Sequence, residues 1–279
     1  MKNLLRTIVF DGQVSLTVAD TTEMVREAID RHHLSPASAR ILGRSLSAMT
    51  FASACLKEET GEISLSVKCN GECGELGVSG NRNLYMRGYI ENTNLAEEQF
   101  GFSGGGFLTV IRDDGYSRPF VGTCAIPDNG DVDEAFEEYY RISEQLPTYI
   151  KTRVDLNDRG ECVYAGVIVL QPLPFAEKKT IEETKRTPLD DILTAVQTMG
   201  LEGGVKKFFA TEGDVWELRE ALYKCNCSRE KLEEVLLSVG EAQMRQIIKE
   251  DGALRVHCHY CNTDYEFTEE DADKIFSHR

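Results

Sequence analysis

The chain opens on alternating apolar and polar positions, from Leu4 to Phe10 and again from Gln13 to Val18, interrupted at Asp11-Gly12. β-Branched residues at period two on either side of an Asp-Gly dipeptide predict two strands joined by a turn or bulge. Asp20, with Glu23 three residues later, has the form of a capping box and predicts a helix ending near His33. Ser35-Pro36 sets a capping hydroxyl before a proline at the first helical position. Behind it, Ile41, Leu42, Leu46 and Met49 form one apolar face of a helix running to about Lys57. Strand-like segments follow at 63–67, 76–78, 84–90, 107–112 and 120–126, separated by Gly- and Asn-containing turns. Asp131 with Glu134 opens a helix carrying Phe136, Tyr139, Tyr140 and Leu146, which Pro147 stops. Strands at 149–156 and 162–170 then run into Pro172 and Pro174.

Strands interspersed with a few helices, without strict βαβ alternation, predict an α+β fold on a largely antiparallel sheet for an N-terminal domain over residues 1–175. The pattern then changes. Residues 176–186 are mostly charged and read as a linker. From Thr187-Pro188, again a cap with proline at the first helical position, Leu189, Ile192, Leu193, Val196 and Met199 form a helical stripe. Gly200, Gly203 and Gly204 interrupt it ahead of Phe208, Phe209, Trp216 and Leu218. This defines a helical linker region over 176–222, whose stripe reads as the buried face of a helix in the resting state. A small C-terminal domain is left over 223–279.

At 279 residues, 41% hydrophobic and 28% charged, the chain has the makings of one large or two modest globular domains. No run approaches the roughly 20 apolar residues of a bilayer crossing, and the first ten residues alternate instead of forming a signal peptide's apolar block. A cytoplasmic location is the expectation. With 47 acidic against 31 basic side chains, the net charge of -16 repels phosphate backbones and anionic lipid heads. Nucleic acid and membrane are therefore not expected as partners.

The nine cysteines change the picture most. An odd number in a chain read as intracellular argues against a disulfide framework and for reduced thiols, metal binding or redox chemistry. Cys55, Cys69, Cys73, Cys124 and Cys162 are scattered, whereas Cys225, Cys227, Cys258 and Cys261 form two tight pairs. Zinc takes four thiolates tetrahedrally, and closely spaced pairs supply them without closing four separate loops. The second pair lies between strand-like 253–256 and Tyr265-Glu266-Phe267, as in a zinc knuckle at a hairpin tip. The first precedes Ser228, a good N-cap for a helix over 229–239 ended by Gly240, and a helix N-terminus favours nearby thiolates. One zinc ion on Cys225, Cys227, Cys258 and Cys261 is the expectation, with His257 and His259 as solvated neighbours. So small a domain depends on its metal for folding. Disulfide sulfurs are poor ligands, so oxidant and metal compete for these thiols, which makes a redox switch chemically plausible. Within it, Cys258 and Cys261 can approach disulfide geometry in a turn, whereas Cys225 and Cys227 close a small strained ring. The distal pair is expected to oxidise first.

Around these residues the sequence resembles the redox-regulated thirty-three-kilodalton heat-shock chaperone family, ATP-independent holdases. The likeness rests on Cys-x-Cys, a 30-residue spacer and Cys-x-x-Cys, with Cys227-Ser228-Arg229-Glu230 and the run from Val256 through Asn262 to Tyr265 and Phe267. Upstream, His33-Leu34-Ser35-Pro36, Leu42-Gly43-Arg44, Arg87-Gly88-Tyr89, Ser143-Glu144-Gln145-x-Pro147 and Gln171-x-Leu173-Pro174 follow in the family's order. The resemblance implies a reduced, zinc-loaded, inactive protein. Oxidation would form disulfides Cys258 to Cys261 and Cys225 to Cys227, expel zinc, unfold the C-terminal domain and destabilise the helical region before it. It further implies binding of unfolding client proteins, a homodimer on activation, and transfer of clients to an ATP-driven foldase chaperone system. The chain itself lacks a Gly-x-x-x-x-Gly-Lys-Ser/Thr phosphate loop, consistent with function without ATP.

Other motifs read more plainly. Gly104-Gly105-Gly106 precedes a strand, not a helix, and is a turn or bulge instead of a phosphate cradle. The acidic run from Asp131 is a helix cap before it is a cation site. Cys69 and Cys73, spaced across Asn70-Gly71-Glu72, leave open ordinary small residues or a second disulfide. No enzymatic activity is expected, because Cys-x-x-Cys here leads into a turn and strand and does not open a helix as in a thiol oxidoreductase. The alternative to a redox chaperone is a zinc-ribbon, partner-binding protein whose zinc is purely structural.

Overall fold

The Asp11-Gly12 break is a turn: β1 (Leu4–Val9) and β2 (Val14–Asp20) pair antiparallel from Leu4 opposite Ala19 to Val9 opposite Val14. The computed structural model describes residues 2–96, 99, 101–209 and 217–277, and the chain divides into two units, Met1–Lys224 and Cys225–Arg279. In the first unit β2 continues to β9 (Cys162–Pro172) and then β8 (Tyr149–Leu156), while β10 (Glu217–Arg219) joins the free side of β1. The order is β10-β1-β2-β9-β8. A second sheet holds β3 (Glu62–Cys69), β4 (Glu75–Asn81), β5 (Tyr85–Ile90), β6 (Gly106–Asp113), β7 (Phe120–Ala125) and β11 (Leu222–Tyr223). Its order is β11-β5-β4-β3-β6-β7. Among the described residues every pair is antiparallel except β11 with β5, so the fold is the expected mixed α+β.

Helix α1 (Thr22–His32) begins one residue later than the capping box predicts. Asp20 is still paired with Gly166 in the sheet, so the chain turns only at Thr21. The Asp20 carboxylate nevertheless accepts from the Thr22 amide at 3.0 Å and the Thr22 hydroxyl at 2.6 Å. Helix α2 (Pro36–Ala54) is capped by Ser35 as expected and ends three residues short of Lys57. Its environment differs from the single apolar face of the sequence pattern: sixteen of its 19 residues are buried, because it packs on β2, β8 and β9 of one sheet and β3, β4 and β5 of the other. Alanines and serines let both sheets approach, and three of the buried hydroxyls are satisfied within the helix itself. Ser45, Ser47 and Thr50 each donate at 2.8 Å to the carbonyl four residues back.

Arg44 is one of two arginines on this buried helix. Its Nε donates to Thr152 Oγ1 at 2.9 Å on β8, and its Nη2 lies 3.0 Å from Asp131 and 2.9 Å from Asp133. Asp131 is the N-cap of α3 (Val132–Tyr139), as the sequence predicts, accepting from the Asp133 and Glu134 amides. A π-helical turn, Tyr140–Glu144, extends α3 toward Pro147. Burial pushes the Asp133 carboxyl up and Arg44 opposes it. Burial acts on Asp131 in the same sense, but Arg44 and the helix amides outweigh it and hold that carboxyl down. One guanidinium thus joins α2, α3 and β8.

Residues 178–185, part of the expected linker, form helix α4 (Lys178–Lys185), which buries Thr180 and Thr184. Helix α5 (Leu189–Phe208) starts after Pro188, not on it, because Thr187 still closes the last turn of α4 through its amide and hydroxyl. Gly200 breaks the helix as expected, at φ 76 and ψ 173, values closed to residues with a Cβ, after which the helix resumes. Ile192, Leu193, Val196, Val205 and Phe209 pack with Leu5, Val14, Leu16, Ile168 and Leu170 of the first sheet. Met199 leaves the stripe and is 55% exposed. Trp216 lies outside the described residues.

Replacing Arg44 by methionine keeps the stem's packing but leaves Asp133 buried beside Asp131 without its main counter-charge. Arg44→Met is expected to destabilise the first unit by about 3–5 kcal/mol, read as a lowered urea midpoint by circular dichroism.

Candidate metal centre

The second unit is built from α6 (Arg229–Val239), α7 (Glu241–Asp251), the hairpin β12 (Leu254–Cys258) and β13 (Thr263–Phe267), and α8 (Glu269–Phe276). Ser228 caps α6, accepting from the Lys231 amide at 3.3 Å, so the chain through Cys225 and Cys227 is extended where it meets the helix. The hairpin pairs Leu254 with Phe267 through to Cys258 with Thr263. At its tip the Asn262 and Cys261 amides both donate to the Cys258 carbonyl, at 2.8 and 3.3 Å, with Asn262 in the left-handed region at φ 53. This turn folds Cys261 back over Cys258. Helices α7 and α8 stand beyond the elements that the apolar pattern predicts. The signal for α8 was present as Thr268 with Asp271, whose carboxylate accepts from the Thr268 amide at 2.8 Å.

The four sulfurs of Cys225, Cys227, Cys258 and Cys261 lie within 4.8 Å of one another. Cys225 Sγ is 3.8 Å from Cys258 Sγ, and Cys227 Sγ is 3.1 Å from Cys261 Sγ. Tetrahedral thiolates at a zinc–sulfur distance of about 2.3 Å stand about 3.8 Å apart. The cluster therefore has the donor set and the size to hold such an ion, and the two contacts cross between the pairs as a shared ligand sphere requires. His257 is turned to Asp264, Nδ1 to Oδ1 at 2.7 Å, and stacks edge-on against His259 at 5.0 Å, consistent with a place beside the cluster.

One contributor was not assigned a role by the spacing of the cysteines. The Tyr265 hydroxyl lies 3.3 Å from Cys227 Sγ. Burial raises the Cys227 thiol, but hydrogen bonds from Tyr265 and from the three neighbouring thiols outweigh it and bring it down to about 7. Tyr265 correspondingly holds its proton more tightly, chiefly because it hydrogen-bonds to Cys227. Burial pushes Cys225 and Cys261 up. Tyr265 was visible in sequence only as a strand residue. Its role follows from the hairpin register, which sets it two pairs from the cysteine turn.

The remaining support is thin. Six residues, Leu236, Met244, Ile248, Leu254, Phe267 and Ala272, form the buried apolar cluster of this unit. Arg229 stitches its parts: the guanidinium lies 4.4 Å over the Phe267 ring, donates to the Glu266 carbonyl at 3.0 Å and pairs with Asp271 on α8 at 2.9 Å. The other five cysteines lie in the first unit. Cys124 and Cys162 are buried in strands, and burial pushes both up to about 11, the condition of inert core thiols.

Comparison with known proteins bears on the whole chain. Residues 2–268 match the family described as Hsp33 protein. The chain is 32% identical over 285 residues to a 33 kDa chaperonin of Bacillus cytotoxicus, covering 98% of this chain and 97% of that protein. It is 33% identical over 289 residues to a 33 kDa chaperonin of Bacillus cereus, with the same coverage. The fold is similar to the crystal structure of the 33 kDa chaperonin, an Hsp33 homolog, from Thermotoga maritima, with a TM-score of 0.84 at 26% identity over 99% of this chain and 98% of that one.

The Tyr265 contact, with the neighbouring thiols, draws the Cys227 thiol down in the reduced, metal-free protein. Its alkylation rate is expected to rise with pH to half-maximum at about 7. Tyr265→Phe removes a donor that stabilises the thiolate, so the midpoint moves upward, by about one unit. Iodoacetamide kinetics with peptide-level readout check both.

Proposed function

Because the chain belongs to the Hsp33 family, we propose that it is a redox-regulated, ATP-independent holdase that is inactive when reduced and loaded with zinc, and binds unfolding client proteins under oxidative stress. The observation that carries this reading is the placing of four sulfurs within 4.8 Å of one another on a unit whose buried apolar cluster has six members. Cys225, Cys227, Cys258 and Cys261 would hold the ion. Bound zinc supplies a cross-link between the segment before α6 and the hairpin, worth on the order of 10–16 kcal/mol in small modules.

An oxidant that takes two electrons from Cys258 and Cys261, and two more from Cys225 and Cys227, leaves two disulfides in place of four ligating thiolates. Disulfide sulfurs ligate poorly, so oxidation removes the cross-link and leaves a core too small to keep the unit folded. We assign residues 223–279 as the redox-switch domain, 176–222 as the region it destabilises and 1–175 as the chaperone domain. Support for the middle assignment comes from α5. Its residues Ile192, Leu193 and Val196 cover apolar side chains of the five-stranded sheet, and its kink at Gly200 is a weak point. Loosening it would expose apolar surface to clients, a function of binding and not of catalysis. The reading extends to a homodimer on activation, to release of clients to an ATP-driven foldase chaperone system on reduction, and to the cytoplasm, where thiols rest reduced.

The test is a paired assay on reduced, zinc-reconstituted protein: zinc release to a chromogenic chelator, and suppression of a heat-unfolding client's aggregation without ATP, before and after mild oxidation. About one zinc per chain is expected to leave as client protection switches on. Retention of zinc, or its loss without protection, makes the four cysteines a structural staple and returns the reading to a zinc-ribbon, partner-binding protein.

A further inference from the structure

A second pair of thiols meets in the first unit, apart from the cluster already described. Cys69 is the last residue of β3, and Cys73 lies in the turn that leads into β4. The register places Lys68 opposite Glu75, and the Cys69 amide donates to the Gly74 carbonyl at 3.0 Å. Cys73 is thus the neighbour of the residue that faces Cys69. The turn is held from outside as well: the Asn70 and Gly71 amides donate to the Gly105 and Ser103 carbonyls, each at 3.1 Å. A Cβ at Gly71 would stand 2.5 Å from the Ser103 carbonyl oxygen, so this close seat requires glycine. Cys73 is 1% exposed, Cys69 is half-buried, and the Cys73 thiol hydrogen-bonds to the Cys69 sulfur.

We propose that Cys69 and Cys73 are a second redox site, in which Cys69 reacts with a peroxide-class oxidant and Cys73 resolves the product into a disulfide. In the first step the Cys69 thiolate attacks one peroxide oxygen, the O–O bond breaks, and Cys69 becomes a sulfenic acid while the other oxygen leaves as hydroxide or alkoxide and takes up a proton. In the second step the Cys73 sulfur attacks the Cys69 sulfur, its own proton leaves with the hydroxyl as water, and the S–S bond forms. Two electrons pass from the two sulfurs to one peroxide. Arrangement and burial divide the roles. The partly exposed cysteine meets oxidant, and the buried one, kept close by the pinned turn, meets Cys69. The hydrogen bond from Cys73 also stabilises the Cys69 thiolate, drawing that thiol down, while it and burial push Cys73 up. Cys124 and Cys162 are not paired in this way.

Peptide mapping of the reduced, full-length protein under graded hydrogen peroxide tests the proposal, with sulfoxide at the exposed Met199 as an internal measure of oxidant delivered. Cys69 and Cys73 are expected to lose alkylation together, below the dose that oxidises Met199, as one linked peptide lighter by two hydrogens and restored by dithiothreitol. In Cys73→Ala, oxidation should stop at a Cys69 sulfenic acid that dimedone captures, at about tenfold the wild-type yield. In Cys69→Ala, Cys73 should stay reduced. The proposal is overturned if both thiols remain alkylatable once Met199 is oxidised, or if they pair with other cysteines. The wild-type map decides this even where a variant fails to fold. Because it reads residues 69–73 on their own peptide, its outcome is separate from that of the C-terminal four.

Discussion

A unit of 55 residues buries so little apolar surface that its folding is marginal, and this limit governs everything around the four C-terminal thiols. Six side chains are buried in its apolar cluster, and two of them, Leu254 and Phe267, come from one hairpin pair. Surface ion pairs such as Arg245 with Glu241, Glu269 and Asp273 add little, since each is solvent-screened. What remains is the convergence of Cys225 and Cys227 on Cys258 and Cys261. The chain between the two pairs forms both α6 and α7, so a link between the pairs closes the unit on itself. Arg229, at the start of α6, supports the same closure through Phe267, Glu266 and Asp271.

The first unit solves the burial problem in the opposite way. Helix α2 lies between two sheets and is enclosed on nearly every side. Burial on that scale stabilises by tens of kcal/mol before conformational entropy is subtracted, and no cross-link is needed. Its exceptions are polar and local. The Arg44 guanidinium is matched to two carboxylates, and serine and threonine hydroxyls return to the helix's own carbonyls. Two distinct budgets of stability thus exist in one chain, one of packing and one of thiol chemistry.

Much of this was legible in the sequence, and the gaps have identifiable causes. Period-two alternation located β1, β2, β8 and β9, and the caps at Ser35, Asp131 and Ser228 are where side-chain chemistry puts them. Sheet order was not legible, because short strands carry no record of their neighbours. The single parallel pair among the described residues, β11 with β5, is two residues long and has no periodicity to detect. Thr187-Pro188 misled because Thr187 serves the preceding helix, and Asp20 because its strand continues through it. At the site, ligand chemistry is written in the spacing of the cysteines, so the four thiols could be read directly. The influence of Tyr265 could not, since a strand tyrosine becomes a thiolate donor only once the hairpin register is known.

The family to which the chain belongs is one of chaperones, and the contrast between the units gives that membership a physical basis. A binding surface that must be hidden at rest needs a trigger that does not itself endanger the chaperone body. A sensor with a large apolar core would resist the loss of one link, because several kcal/mol of packing would remain after it. In the proposed switch, a sensor whose apolar cluster has six buried members has no such reserve, and its folding would follow the state of its sulfurs. The body, built on α2 and its two sheets, has a large core of its own. Sparse burial in the small unit is therefore what, in the proposed switch, would couple chemistry at four atoms to the folding of a whole module.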